Sequence, residues 1–245
     1  YSVRNRFAKA VEYLEKALKV QIKIYGEEDE NVASTYSSIG EGYWTWASQE
    51  FSSPNTQQTI SYLDRALVYF ERALSIQVRV LELTDSAIAK TYLGLGRGLF
   101  DKARLEKKSP PGKSLEYYQE AEKALLSGEG GSSDLLIYVY KAIGDFHNAG
   151  GEYALGESFY RKALSLQEKV GPKDLSVNSY FDLSETSRLR GDYEKAIKYL
   201  EMHEAAFRAA NPGDLFVRGW HVAHWAADLL DMKSSLYFSM RSLAI

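Results

Sequence analysis

Apolar and small residues return along this chain with a helical period. Tyr36, Ile39, Gly40 and Tyr43 fall at i, i+3, i+4 and i+7, on one face of an α-helix, and Tyr92, Leu95, Gly96 and Leu99 repeat that face. Tyr140, Ile143 and Gly144 give a third copy; Tyr180, Leu183 and Ser184 give a fourth, with the small residue degraded to Ser. Downstream comes a second phrase, as Leu14-Glu-Lys-Ala17-Leu18, Phe70-Glu-Arg-Ala73-Leu74, Ala121-Glu-Lys-Ala124-Leu125 and Tyr160-Arg-Lys-Ala163-Leu164. The two phrases predict alternating first and second helices that pack in pairs. A Gly inside a helix costs about 1 kcal/mol relative to Ala, so its return at one register needs a steric reason. Close approach of the second helix supplies one: Ala10 and Ala17, Ala66 and Ala73, Gly156 and Ala163 are small, and Leu14, Phe70 and Tyr160 between them fill the space the glycines leave.

The spacing of the copies is uneven. Gly40, Gly96, Gly144 and Ser184 are separated by 56, 48 and 40 residues, more than the roughly 34 of a minimal helix-pair repeat. The excess is expected in loops, as insertions near 48–62, around Pro54, and near 104–114, around Lys107-Lys-Ser109-Pro110-Pro-Gly. Loop length is thermodynamically cheap, each doubling costing about 0.6 kcal/mol. The stretch 127–133, Ser-Gly-Glu-Gly-Gly-Ser-Ser, joins two units and reads as a hinge. About eleven helices are expected, from an orphan second helix near 3–25 to a last one near 231–244. The final pair, Trp220 to Met240, departs from the pattern, as terminal units of a stacked array do. With no initiator Met and an apolar run up to Ile245, the chain reads as one domain, 1–245, cut from a longer protein.

In residues 137–170, Tyr140, Ile143, Gly144, Gly151, Tyr153, Gly156, Tyr160 and Ala163 occupy the consensus positions of the tetratricopeptide repeat without an insertion, and Gly191-Asp-Tyr193-Glu-Lys-Ala196 is a near-consensus turn. The resemblance covers nearly the whole chain. The segment Ala17 to Ala33, a long helix ending in Gly26 before an acidic linker, resembles the longer repeats of kinesin light chains, with Asp29-Glu30 where that family often has His-Pro. The resemblance implies an all-α, right-handed superhelical solenoid of antiparallel helix pairs, with first helices on the concave side.

Composition narrows the partners. A net charge of −3 lacks the basic face that nucleic acid requires. There is no Cys, which excludes thiolate catalysis, disulfides and zinc-thiolate sites and suits a reducing, cytoplasmic setting. No window approaches the length of apolar sequence that spans a membrane. Gly94-Leu-Gly96-Arg-Gly98 follows no strand and is explained by the repeat, so no dinucleotide or other cofactor is implied. His221, His224 and Asp228 share a helix face, a spacing a metal could use, but two His without a further ligand read as core or groove residues and no metal is assigned.

No nucleophile with a base, and no carboxylate pair, stands out from the repeat, so the chain is read as no enzyme. The repeat resemblance implies a scaffold that binds a peptide or helix of a partner protein in its concave groove. Carried over residue by residue, the groove presents Ser37, Glu41 and Trp44; Leu93, Arg97 and Phe100; Lys141, Asp145 and Asn148; Phe181, Glu185 and Arg188; and Trp220 and His224. The aromatics among them equally suit side chains that pack between repeats. Tetratricopeptide clamps that hold a terminal carboxylate use Lys, Asn and Arg, whereas Glu41 and Asp145 would repel one; the Asn ladder of kinesin light chains reads here Ser38, Gly94, Ala142 and Asp182. The alternative reading is a regulatory or targeting module of a larger enzyme or motor-associated protein, acting through its insertions, ends or self-association.

Overall fold

The computed structural model describes residues 3–51, 55–82, 85–127, 133–170 and 179–210, with Asp231 and Ser234. All regular structure among them is helical: α1 (Val3–Tyr25), α2 (Glu30–Gln49), α3 (Thr56–Val80), α4 (Ser86–Leu105), α5 (Gly112–Ser127), α6 (Ser133–Ala149), α7 (Tyr153–Val170), α8 (Ser179–Leu189) and α9 (Tyr193–Ala210). That is nine helices among the described residues; the two further ones expected after 212, and the hinge glycines 128–131, lie outside those residues. The chain divides into two compact units, Tyr1–Ala142 and Ile143–Ile245, with the boundary inside α6.

Side-chain chemistry at the helix ends explains where they start and stop. Asp29, Asn55 and Asp85 sit at N-caps and accept from the backbone N–H groups of Asn31, Gln58 and Ala87 at 2.8, 3.2 and 2.7 Å, satisfying donors a helix leaves free. Gly151 and Gly191, at φ 78° and 80°, close α6 and α8 with paired turns back to Asn148 and His147, and to Arg188 and Ser187. The same closure ends α4, with N–H groups of Lys107 and Lys108 donating to Arg104 and Ala103, but Lys107 holds φ 56° without being a glycine.

The glycines of the first helices are contact points for aromatic side chains of the second. A Cβ at Gly40 would sit 2.8 Å from the Phe70 ring, at Gly96 2.3 Å from Tyr118, and at Gly144 2.8 Å from Tyr160. Phe70 is shared, because a Cβ at Gly94 of the following repeat would lie 2.5 Å from it. In the fourth pair the arrangement is rebalanced: Ser184 replaces the glycine and donates to the Ala196 carbonyl at 2.9 Å, and the buried filler is Leu200.

Two expectations are corrected. The register of the second phrase slips by three residues in α5, where Tyr118 is the counterpart of Phe70 and Tyr160, so that Ala121, not Ala124, matches Ala73. The extra residues near 48–62 lie mostly in helix, since α2 runs on to Gln49 and α3 starts at Thr56, well before Phe70. Extending two packed helices buries more apolar surface than looping out the same chain, here through Tyr43, Ala47, Tyr62 and Leu63, all buried.

Candidate functional site

The first helices α2 and α4 lie side by side in the first unit. Ser37 on α2 and Thr91 on α4, both buried, share a hydrogen bond of 3.2 Å, which sets the two helices in register. Seven residues along α2 and ten along α4, the Trp44 indole N–H donates to Asp101 Oδ2 at 2.9 Å. The Arg97 guanidinium then stacks on Trp44 at 5.1 Å and on Tyr138 of α6 at 5.4 Å, so aromatic rings of two other helices hold it. Arg104 pairs with Asp101 at 3.2 Å and lies over the Phe51 ring at 4.6 Å.

The result is a continuous row, Phe51, Arg104, Asp101, Trp44, Arg97 and Tyr138, in which each charged side chain contacts at least one ring. Asp101 is 7% exposed. Burial pushes its carboxyl above the usual range, and Arg104, the Trp44 hydrogen bond and Arg97 only partly reverse that. Arg97 is half-buried, and its N–H groups make no hydrogen bond to any described residue. A stacked guanidinium keeps its edge free, and that edge is a planar fork of donors suited to a carboxylate or carbonyl. Glu41, Phe100 and Lys141, also expected on this face, are half-buried. Ser37 and Leu93, expected to line it, are buried instead, 7% and 3% exposed.

In the second unit the expected residues sit differently. Asp145 accepts from the Tyr160 hydroxyl at 2.6 Å, a phenol whose pKa burial and that carboxylate both raise. Asn148 donates to Thr186 Oγ1 at 2.8 Å, tying α6 to α8. Phe181 is exposed and tilted against His203, with ring centroids 5.6 Å apart. Glu185 and Arg188 pair with each other at 2.7 Å. Trp220, His224 and the rest of the His221–Asp228 face lie outside the described residues.

The sequence reading missed Asp101, Arg104 and Tyr138. Asp101 lies one helical turn after Arg97, a spacing that could have paired them; Tyr138 precedes its repeat glycine by six positions, and nothing in the repeat pattern marks it. Another feature unread from sequence is Glu157, 5% exposed, which Arg161 of α7, Arg190 beyond α8 and Lys195 of α9 all contact. Burial alone would raise its pKa, but hydrogen bonding to Lys195 and the charges of all three cations outweigh it and lower the value. Among the described residues no group of three His, Asp or Glu converges as a metal would require, and no helix is long and apolar enough to cross a membrane.

Known proteins share these repeats. Residues 133–209 match one tetratricopeptide repeat family model and residues 1–31 another. Over 96% of its length the chain is 24% identical to Protein KINESIN LIGHT CHAIN-RELATED 1 of Arabidopsis thaliana, and it spans 36% of that protein. Among solved structures it is similar to the nearly identical TPR-like repeats of a candidate kinesin light chain from Podosopora anserina, at 14% identity and TM-score 0.61, covering 85% of this chain and 90% of that one. It is also similar to a Signal Transduction ATPase with Numerous Domains that has a tetratricopeptide repeat sensor, from Pyrococcus horikoshii, at 20% identity and TM-score 0.58, covering 82% of this chain and 27% of that one. These structural likenesses carry the fold.

Proposed function

Because the chain carries tetratricopeptide repeats similar to those of kinesin light chains, we propose that it is a non-enzymatic, cytoplasmic scaffold that holds a peptide or helical segment of a partner protein. In this reading the segment lies along the first-helix face of the first unit, over Trp44, Arg97, Phe100 and Lys141. The observation that supports it is Arg97, fixed by two aromatic rings with its donor edge unused. Aromatic and Arg side chains are the usual anchors of protein interfaces, because they supply contact area at little entropic cost once they are held. Phe181, exposed on α8 of the second unit, is by the same reasoning an anchor candidate of that unit by itself.

The rival, a regulatory or targeting module within a larger enzyme or motor-associated protein, draws on the small share that the chain spans of two proteins it is similar to, 36% of the Arabidopsis thaliana protein and 27% of the Pyrococcus horikoshii ATPase. Affinity capture with quantitative mass spectrometry separates the two. Arg97→Glu with Phe181→Ala is expected to lose the partners that the unmodified chain retains, while deletion of 49–58 keeps them. Capture that survives the double substitution and fails in the deletion contradicts the face reading.

A further inference from the structure

The link from α4 to α5 carries a serine that the packing of the repeats does not use. Both ends of the link are pinned: the Lys107 and Lys108 N–H groups donate to the Arg104 and Ala103 carbonyls at 3.1 and 2.9 Å, and the Ser114 N–H donates to the Pro111 carbonyl at 2.9 Å. Between these anchors Ser109 and Pro110 belong to no helix. A following proline restricts Ser109 to extended backbone, and the pair Pro110-Pro111 favours the polyproline conformation. Ser109 is exposed, and its hydroxyl bonds to no described residue. Serines within the helices differ, because Ser38, Ser48, Ser75 and Ser158 turn their hydroxyls back onto carbonyls of the preceding turn at 2.7–2.9 Å.

Cations surround this serine in sequence. Lys107, Lys108 and Lys113 lie within four residues of it, and all three are exposed. Lys107 makes no ion pair with any described residue. Lys108 pairs with Glu106 and Lys113 with Glu116, each at 2.7 Å, and surface pairs of this kind exchange partners at little cost. From Glu106 to Glu116 the three lysines outnumber the two carboxylates, so the link is net positive. A phosphate carries about −1.5 to −2 at neutral pH and would reverse that sign.

We infer that Ser109 is a modification site, the acceptor of a phosphoryl group from ATP delivered by a proline-directed protein kinase. A kinase cleft takes its substrate as an extended segment, which a serine inside a helix cannot supply and this one already presents. In the transfer the Ser109 Oγ bonds to the γ-phosphorus of ATP, the bond from that phosphorus to the oxygen shared with ADP breaks, and ADP leaves. The hydroxyl proton passes to the catalytic carboxylate of the kinase. The product places its charge among Lys107, Lys108 and Lys113, and Lys107 can answer it without giving up a partner. The site is separate from the Trp44–Arg97 face and does not depend on what that face binds.

The test incubates the whole folded chain with ATP and a purified mitogen-activated protein kinase, a proline-directed enzyme, and maps phosphoserine by tandem mass spectrometry. One phosphoryl group on Ser109 is expected, lost in Ser109→Ala, kept on threonine in Ser109→Thr, and added about tenfold or more slowly in Pro110→Ala. Matching melting curves for parent and Pro110→Ala show that the slower variant keeps its fold. A free peptide of residues 103–115 is expected to react no faster than the folded chain, because the fold leaves the serine extended and uncovered. Absence of a phosphoryl group on Ser109, or equal rates in parent and Pro110→Ala, overturns the proposal. So does a peptide that reacts about tenfold faster than the chain, since the fold would then hide the site. Label confined to Ser53, which also precedes a proline, overturns it as well.

Discussion

Gly96→Ala sets two physical effects against each other with opposite signs. Gly96 lies in the middle of α4, where Ala is favoured over Gly by about 1 kcal/mol on helix propensity alone. The new Cβ, however, would stand 2.3 Å from Tyr118 Cε1, 2.5 Å from Cδ1 and 3.1 Å from the Ser114 carbonyl oxygen. Tyr118 is 1% exposed, so its ring has nowhere to go. Overpacking a rigid core of this kind costs about 1–3 kcal/mol, and the clash is deep enough to place the cost at the upper end. Net destabilisation of roughly 1–2 kcal/mol is expected, a fall in Tm of about 2–8 °C for a chain of this size. Gly112→Ala is the control, because nothing lies within 4 Å of its Cβ, and it should raise stability by up to about 0.5–1 kcal/mol. Adding Tyr118→Leu to Gly96→Ala mimics the Ser184 and Leu200 pair, and a double-mutant cycle should show coupling of about 1 kcal/mol or more. Urea unfolding followed by far-ultraviolet circular dichroism measures all four variants. A Gly96→Ala chain stabilised as much as Gly112→Ala would refute the steric account of the repeating glycines.

Three further outcomes follow from named residues. Lys107→Gly removes a side chain from the left-handed position that Gly151 and Gly191 fill elsewhere, and should stabilise by about 0.5 kcal/mol in the same unfolding assay. Glu157→Gln leaves three cations without their carboxylate and should cost about 1–3 kcal/mol at neutral pH. Because the folded pKa of Glu157 is lowered below 4.5, its contribution is full above that value and fades as pH falls through the folded pKa, so the stability gap between parent and Gln variant should close in acid. Asp101→Asn has the opposite sign: the folded pKa is raised above 3.8, so the parent's charge burden grows as pH rises between the unfolded and folded values. The variant, which can still accept from Trp44, should be at least as stable as the parent at neutral pH, with the difference vanishing in acid.

How much of this was legible in the sequence depends on the range of the interaction concerned. The helix pairs were readable because Gly40, Gly96 and Gly144 recur against Phe70 and Tyr160 at a helical period, and local packing of that kind leaves a periodic trace. The α5 register was misread because Tyr118 lies outside the recurring Ala-Glu-Lys-Ala phrase, and that phrase by itself fits two registers three residues apart. Extra turns on α2 and α3 looked like loop because Pro54 and its polar neighbours dominate the local composition, while the length of the flanking helices is set by burial across the pair. At the candidate site Trp44 and Arg97 were found from their offset to the glycines, and Asp101 and Tyr138 were not. Their placement beside Arg97 arises from how α2, α4 and α6 are set against each other. Ser37 illustrates the reverse: its offset points to an open face, but its hydroxyl is spent on Thr91.

Site-specific photocross-linking tests the binding face most directly. With p-benzoylphenylalanine in place of Phe100, half-buried on α4, and separately in place of Val68, 51% exposed on α3, each chain is irradiated with a partner recovered by affinity capture. Cross-links to one contiguous partner segment are expected from position 100, absent from position 68, and lost from position 100 when Arg97→Glu is added. Cross-links from position 68 with none from position 100 would place the partner elsewhere on the chain and contradict the assignment of the Trp44–Arg97 face.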